Sequence, residues 1–436
     1  MTSSDASLDS RIRAAKAAGL TLARAPATTR VDALRAMADA LQQPEVRTRL
    51  HQANALDMKD AEAALAAGTL TAALVRRLAL TDDKLDVLAT GLRQLAAQPD
   101  LVGRSHERRR LDDGLELVRE SCPLGVLGVV FEARPDAVPQ IVGLALRTGN
   151  AIALKGGREA TRSNAAMVEA LQAALRSVDV DPAVIALLSG RAEVSALLEL
   201  KGLVDLVIAR GSTAFVEHIQ ATSSIPVVGH AEGLCHMVLH ADVDSAMAAA
   251  LTVDAKTSYP AACNALETLL WSPGAEPALA QSLSALRDAG VTLRGCEATR
   301  ALHPQVQPAT DEDWSTEYGD VMLAVRRVDD LDAALEHIER YGSRHTECIV
   351  TEDAAAAETF LARVDAACVF HNASTRFADG YRFGLGAEVG ISTQKLHARG
   401  PVGVGGLVTY RWLLRGRGQV STAYGPGKRD FLHEDL

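Results

Sequence analysis

Aromatic residues are scarce: 3 Trp, 6 Tyr and 7 Phe amount to 4% of 436 residues. That is too few for a base-stacking or sugar-stacking surface. Basic charge is also short, with 45 Lys and Arg against 55 Asp and Glu, a net of −10. Nucleic acid and anionic membrane surfaces reward basic patches, so neither is expected as a partner. Six Cys occur without close pairs, which reads as reduced thiols rather than a disulfide frame. No run of about 20 apolar residues is present, so no membrane span is expected. The first residues lack a continuous apolar stretch and carry Asp5, Asp9 and Arg13, unlike a secretory signal. A Walker A sequence and a strict GxGxxG are both missing. There is no repeat of roughly 20 to 50 residues. What remains is 48% hydrophobic and 23% charged, an ordinary soluble globular composition. A cytoplasmic protein of two or three domains is the expectation.

From Asp9 to about Gln98 the chain is rich in Ala, Leu and Arg and has helical periodicity. Val31, Leu34, Met37, Ala38 and Leu41 form one apolar stripe, and Thr81-Asp82-Asp83 reads as a helix start. Arg108 to Arg119 then places Asp113-Gly114 between two charged, roughly alternating runs, a β-hairpin signal. Such a hairpin is either a solvated ribbon or a pairing surface for another subunit. Continuous apolar runs follow at Leu124–Phe131, Ala151–Lys155, Ile185–Leu188 and Leu206–Ala209, separated by helical segments. Strands buried on both faces and alternating with helices imply a doubly wound parallel sheet. A second alternating series runs from Cys235 to about His371 and includes Thr268–Trp271, Met322–Val325, Cys348–Val350 and Ala367–Phe370. Two α/β units facing each other across a cleft are therefore expected. Asn372 to Gly406 is glycine-rich and polar, as binding loops often are, and Leu407–Trp412 reads as a last strand before a charged tail.

Lys155-Gly156-Gly157-Arg158 and Arg210-Gly211-Ser212-Thr213 each follow a buried strand and precede a helix. Cations and backbone amides meet there, and Gly211 permits close approach of a phosphate, which together favour a dinucleotide. Among the thiols, Cys348 and Cys368 lie in apolar strands and read as core. Cys235 adjoins His236, but neighbours on a strand point to opposite faces, which argues against a shared metal. Cys296 follows a glycine in an expected surface turn. Cys263 differs, because Ser258 to Ala265 is a small-residue loop just before a buried strand. A thiol there can reach a cleft, and positive charge or amide dipoles would make it a nucleophile.

Ser258–Leu270 resembles the catalytic-cysteine segment of the gamma-glutamyl phosphate reductase family, a branch of the aldehyde dehydrogenase superfamily. The stretch Val328 to Ile349, with His337-Ile338, Gly342-Ser343 and His345-Thr346-Glu347, resembles that family's signature. Phe131 to Pro135, Phe383 to Thr393 and His397 to Pro401 are similar to its other motifs. The resemblance implies a cofactor-binding domain over 1–105 and 122–230, a catalytic domain over 231–400, and an oligomerisation element from 106–121 and 401–436. It implies subunit pairing through the hairpin, hence a homo-oligomer, and a candidate contact with glutamate 5-kinase. The implied reaction is NADPH-dependent reduction of L-glutamyl 5-phosphate to L-glutamate 5-semialdehyde through a thioester on Cys263.

The resemblance also carries residue roles. Cys263 and Asn264 would be catalytic, with the Cys263 amide as first oxyanion donor. Glu132 falls where oxidising relatives place the second donor, so a neighbour such as Arg134 or Asn264 is needed. His230 falls where those relatives keep a water-activating Glu, although Glu232 is close. A reductive dephosphorylation needs no such base. Lys155 matches the lysine on the adenosine ribose, Arg158 a cation for the 2′-phosphate, Ser212 the pyrophosphate contact and Glu317 the nicotinamide ribose contact. Arg134, Ser374, Thr375 and Arg376 would bind substrate. The rival enzymatic reading is an NAD-dependent aldehyde dehydrogenase that makes a free acid. A non-enzymatic binding subunit is disfavoured by the presence of Cys263, Lys155 and Glu317.

Overall fold

A computed structural model describes residues 7–131, 134–211, 213–229 and 232–436. Glu132, Ser212 and His230 lie outside the described residues. Five helices open the chain: α1 (Leu8–Arg24), α2 (Ala27–Ala40), α3 (Pro44–Ala66), α4 (Ala72–Leu78) and α5 (Asp82–Ala97). As its sequence suggests, Thr81 caps α5 by accepting the Lys84 N–H, and Asp82 and Asp83 complement the helix dipole. Leu34, Met37, Ala38 and Leu41 are fully buried and Val31 partly so, in one core with the sheet that follows.

The hairpin forms where Asp113-Gly114 placed it. Strands β1 (Ser105–Asp112) and β2 (Leu115–Pro123) pair antiparallel, and Gly114 takes the left-handed conformation the turn needs (φ +69°). There follow β3 (Val126–Phe131), α6 (Ala137–Arg147), β4 (Ala151–Lys155), α7 (Thr161–Arg176), β5 (Ile185–Leu187), α8 (Gly190–Glu199), β6 (Leu206–Arg210), α9 (Thr213–Thr222) and β7 (Val227–Val228). The strands make a parallel sheet in the order β5-β4-β3-β6-β7. All of β3 is buried, which explains its unbroken apolar run. The winding direction reverses between β3 and β6, and such a switch point leaves a crevice beyond the strand ends.

A seven-stranded parallel sheet comes next. It is built from β8 (Cys235–Leu239), α10 (Ser245–Thr257), β9 (Leu266–Trp271), α11 (Glu276–Asp288), β10 (Thr292–Gly295), α12 (Glu297–Leu302), β11 (Gln307–Pro308), β12 (Met322–Arg327), α13 (Leu331–Tyr341), β13 (Thr346–Val350), α14 (Ala354–Arg363) and β14 (Cys368–His371). Its order is β11-β10-β12-β9-β8-β13-β14. The remaining strands are β15 (Ile391–Ser392), β16 (Gly400–Pro401), β17 (Val408–Arg415) and β18 (Glu434–Asp435).

β17 lies along β2 and β18 along β1, which gives a four-stranded ribbon sheet in the order β17-β2-β1-β18. The last strand runs on to Arg415, beyond the expected Trp412, because β2 offers a full-length partner. The acidic tail is a strand rather than a loose end: Arg109 pairs with Asp435 at 2.9 Å and Arg110 with Glu434 at 3.0 Å. Along the outer strand Tyr410, Trp412 and Leu414 are each about half exposed. The architecture is thus two α/β units with parallel sheets and a small antiparallel element. No helix among the described residues is long and apolar enough to cross a membrane.

Candidate active site

Cys263 sits partly exposed in the loop between α10 and β9, at the amino end of β9. The loop is fixed from beneath. A Cβ on Gly233 would lie 2.0 Å from the Cys263 carbonyl oxygen and 2.5 Å from its Cα, so only glycine fits. The buried Cys235 thiol donates to the Cys263 carbonyl at 3.3 Å. Leu234 N–H donates to Ser343 Oγ at 2.9 Å, which ties this support to the start of β13. Asn264 is buried and donates through Nδ2 to the Ala378 carbonyl at 2.8 Å. The Cys263 N–H finds no acceptor among the described residues. Gly233→Ala is expected to push this loop outward, at a cost of about 1–3 kcal/mol of stability. Thermal unfolding and the iodoacetamide labelling rate of Cys263 check this. An unchanged rate would show that the stack tolerates a methyl group.

Burial pushes the other strand thiols up, Cys348 to about 12, Cys368 to about 11 and Cys235 well above the ordinary range. They are core thiols, as their apolar strands suggest. Cys296 is not on a free surface turn. It precedes α12, half-buried, with its sulfur 3.3 Å from both Thr299 Oγ1 and the Arg327 N–H. Cys235 and His236 serve separate partners, His236 Nδ1 lying 3.0 Å from Glu347 Oε2 in the interior. No metal-binding cluster occurs among the described residues.

Two guanidinium groups lie within electrostatic reach of the Cys263 thiol: Arg210, at the carboxyl end of β6, and Arg376, in the loop after β14. The carboxyl edge of the first sheet therefore faces the amino edge of the second. Burial lowers the pKa of both arginines, and a second cation adds to it, Arg134 for Arg210 and Arg382 for Arg376. Arg376 is held by Ser258 Oγ at 3.2 Å and stands over the Tyr259 ring. Ser374 accepts the Arg376 N–H at 3.3 Å, and Thr375 is fully buried. The two hydroxyl residues thus lie beneath the turn that presents the cation.

Beside Arg210 opens a cavity of about 590 Å³, walled by α5, α6 and the loop 379–388 and lined by Arg134, Arg210, Asp86, Asp379 and Glu388. Gln98, just past α5, donates to the Leu385 carbonyl at 2.8 Å and pins the glycine-rich loop to the helical layer. Arg134 is half exposed and 3.5 Å from Asp136. Charges of both signs in one chamber suit a zwitterionic ligand that carries an extra anionic group.

Lys155 ends β4, and Arg158 and Gly211 are exposed at the same edge of the sheet. Their chemistry fits an anionic dinucleotide. The neighbouring Gly156 has a steric reason of its own, since a Cβ there would meet Asn164 Nδ2 at 2.1 Å. Glu317 is exposed on the loop before β12. That loop is clamped by a pair the sequence did not reveal. Glu267 accepts the Tyr318 N–H at 3.3 Å and the Gly319 N–H at 3.4 Å, and Lys256 Nζ lies 2.8 Å from its Oε2. Burial raises Glu267 to about 7 against the opposing pull of Lys256.

A cysteine loop between two facing parallel sheets, with cations at a strand-end edge, defines a class of oxidoreductase scaffold. The aldehyde dehydrogenase family model matches residues 1–286. The gamma-glutamyl phosphate reductase of Synechococcus sp. (strain JA-3-3Ab) is 52% identical over 434 residues, 99% of this chain and 95% of its own length. Its counterpart in Natronomonas pharaonis is 48% identical over 431 residues, 98% of each chain. The crystal structure of gamma-glutamyl phosphate reductase from Thermotoga maritima has a TM-score of 0.90 at 36% identity, covering 95% of this chain and 99% of that one. An acetylating aldehyde dehydrogenase from Geobacillus thermoglucosidasius shares the fold, with a TM-score of 0.66 at 16% identity, covering 95% of this chain and 97% of its own. The chain belongs to the aldehyde dehydrogenase family and, within it, to the gamma-glutamyl phosphate reductases. It is an oxidoreductase, and its family implies a nicotinamide cofactor.

Proposed function

We propose that the chain reduces L-glutamyl 5-phosphate to L-glutamate 5-semialdehyde and phosphate with NADPH, a cytoplasmic step of L-proline biosynthesis. The observation that carries this reading is Cys263, partly exposed, within electrostatic reach of two guanidinium groups and with an amide that has no acceptor among the described residues. The thiolate attacks the acyl carbon; the C–S bond forms, the C–O bond to phosphate breaks, and its electron pair leaves with phosphate. The Cys263 N–H receives the oxyanion, and Asn264 anchors the loop that carries it. Arg134 and Arg376 bind the substrate, with Ser374 and Thr375 supporting the turn under Arg376.

Lys155 holds the adenosine ribose, Arg158 the 2′-phosphate, Gly211 and Ser212 the pyrophosphate, and Glu317 the nicotinamide ribose. Bound there, the cofactor supplies the hydride that takes the thioester to the aldehyde level. Residues 1–105 and 122–230 make the cofactor domain and 231–400 the catalytic one. The ribbon sheet with Tyr410, Trp412 and Leu414 at its edge joins subunits of a homo-oligomer. Glutamate 5-kinase is a fitting donor because acyl phosphates hydrolyse readily.

The test runs the reaction backward. Oxidation of the semialdehyde by NADP⁺ is expected to require inorganic phosphate. Oxidation at full rate without phosphate would instead favour an aldehyde dehydrogenase that releases a free acid.

A further inference from the structure

The sequence drew attention to Arg210 only as part of a backbone turn, yet its side chain is the unexplained charge of the site. It lines the cavity of about 590 Å³ and feels the Cys263 sulfur. Among the described residues it has no hydrogen bond and no ion pair. The two carboxylates whose charge it feels, Glu388 and Asp136, have other partners as well: Asp136 lies 3.5 Å from Arg134, and Glu388 accepts the Gly380 N–H at 2.8 Å. A Cβ on Gly390 would lie 3.5 Å from its Nε and Cδ, so the loop passes close over the guanidinium stem and helps fix it. A partly buried cation with a second cation, Arg134, within electrostatic reach is costly to maintain. Its free face is complementary to an anion that arrives with the substrate.

We propose that Arg210 is the phosphoryl-binding residue, which grips the phosphate of the acyl phosphate while Cys263 attacks the adjacent carbonyl carbon. This assignment deepens the function proposed above and rests on it. The phosphorus of an acyl phosphate is one oxygen away from the carbon that the sulfur attacks. A group that serves the phosphate must therefore lie within electrostatic reach of the sulfur, as Arg210 does. The planar fork of arginine matches two phosphate oxygens, and its charge neutralises the dianion as the C–O bond breaks. In reverse it holds inorganic phosphate while a phosphate oxygen attacks the thioester carbon, the C–S bond breaks and Cys263 leaves as thiolate.

The experiment is phosphate-dependent semialdehyde oxidation by purified wild type, Arg210→Gln and Arg210→Lys, with NADPH binding followed by fluorescence titration. In Arg210→Gln the KM for phosphate is expected to rise at least tenfold, with the semialdehyde KM and the NADPH Kd within twofold of wild type. Arg210→Lys keeps the charge without the fork and should fall between; it carries the test if the Gln variant fails to fold. An unchanged phosphate KM in both variants, beside a phosphate-dependent wild type, overturns the assignment alone. A rise confined to the NADPH Kd would give Arg210 to the cofactor pyrophosphate, and a rise confined to the semialdehyde KM would give it to the α-carboxylate. Either overturns it. A wild type indifferent to phosphate overturns both the assignment and the function beneath it.

Discussion

Cys263→Ser loses phosphate-dependent NADP⁺ reduction by about 10³-fold or more while the protein stays folded. A serine hydroxyl is a far weaker nucleophile than a cysteine sulfur near neutral pH. The loop is held through backbone contacts, Gly233 against the Cys263 main chain and Cys235 to its carbonyl, so removing the sulfur leaves these supports in place. Turnover measured beside thermal unfolding separates chemistry from stability. Iodoacetamide gives a second view: Cys235, Cys348 and Cys368 are buried, so labelling concentrates on Cys263 and the other partly exposed thiols. A serine variant that keeps comparable turnover would mean another group carries the acyl chain.

Lys256→Met has the largest expected effect on stability. Lys256 and Glu267 are both buried, and removing the cation leaves a carboxylate whose remaining partners among the described residues are the Tyr318 and Gly319 amides. Breaking a buried pair in this way costs about 3–5 kcal/mol. The pH dependence follows from burial, which holds Glu267 at about 7 even with Lys256 beside it. A carboxyl whose folded pKa lies above its unfolded value binds its proton more tightly in the native state, so its contribution falls as pH rises through that interval. Without Lys256 the folded pKa climbs further. The Tm deficit should therefore be smaller at pH 5 than at pH 8. Equal deficits at both pH values would show that Glu267 does not titrate in this range. The double variant Lys256→Met, Glu267→Gln should recover part of the loss, because it removes both charges together.

The sequence made legible those features whose signal is local. β3, β4 and β6 are continuous apolar runs because both faces are covered, and Thr81 caps α5 through its own side chain. Cys263 stood out through the small residues around it. β18 is two acidic residues whose strand character comes from Arg109 and Arg110, more than three hundred positions upstream, so no window could show it. β10 and β11 are short and half polar; β10 becomes a strand only as a neighbour of β12, and β11 only as a neighbour of β10. Lys256 and Glu267 look like ordinary surface charges until α10 folds against β9. Arg210 looked like one more residue of a phosphate turn, and which way its side chain faces is a tertiary fact. Gly233 gave no sign, since its importance lies in what stacks on it.

One hydrogen bond has a wider consequence. Gln98 clasps the Leu385 carbonyl, so one wall of the cavity beside Arg210 belongs to the opening helical bundle and the opposite wall to a loop 287 residues later. The width of that chamber is thus decided by how the first hundred residues dock, far from the reacting sulfur. On the proposed function, changing which head group is admitted is a matter of altering α5 and its terminus, and Cys263 can be left untouched.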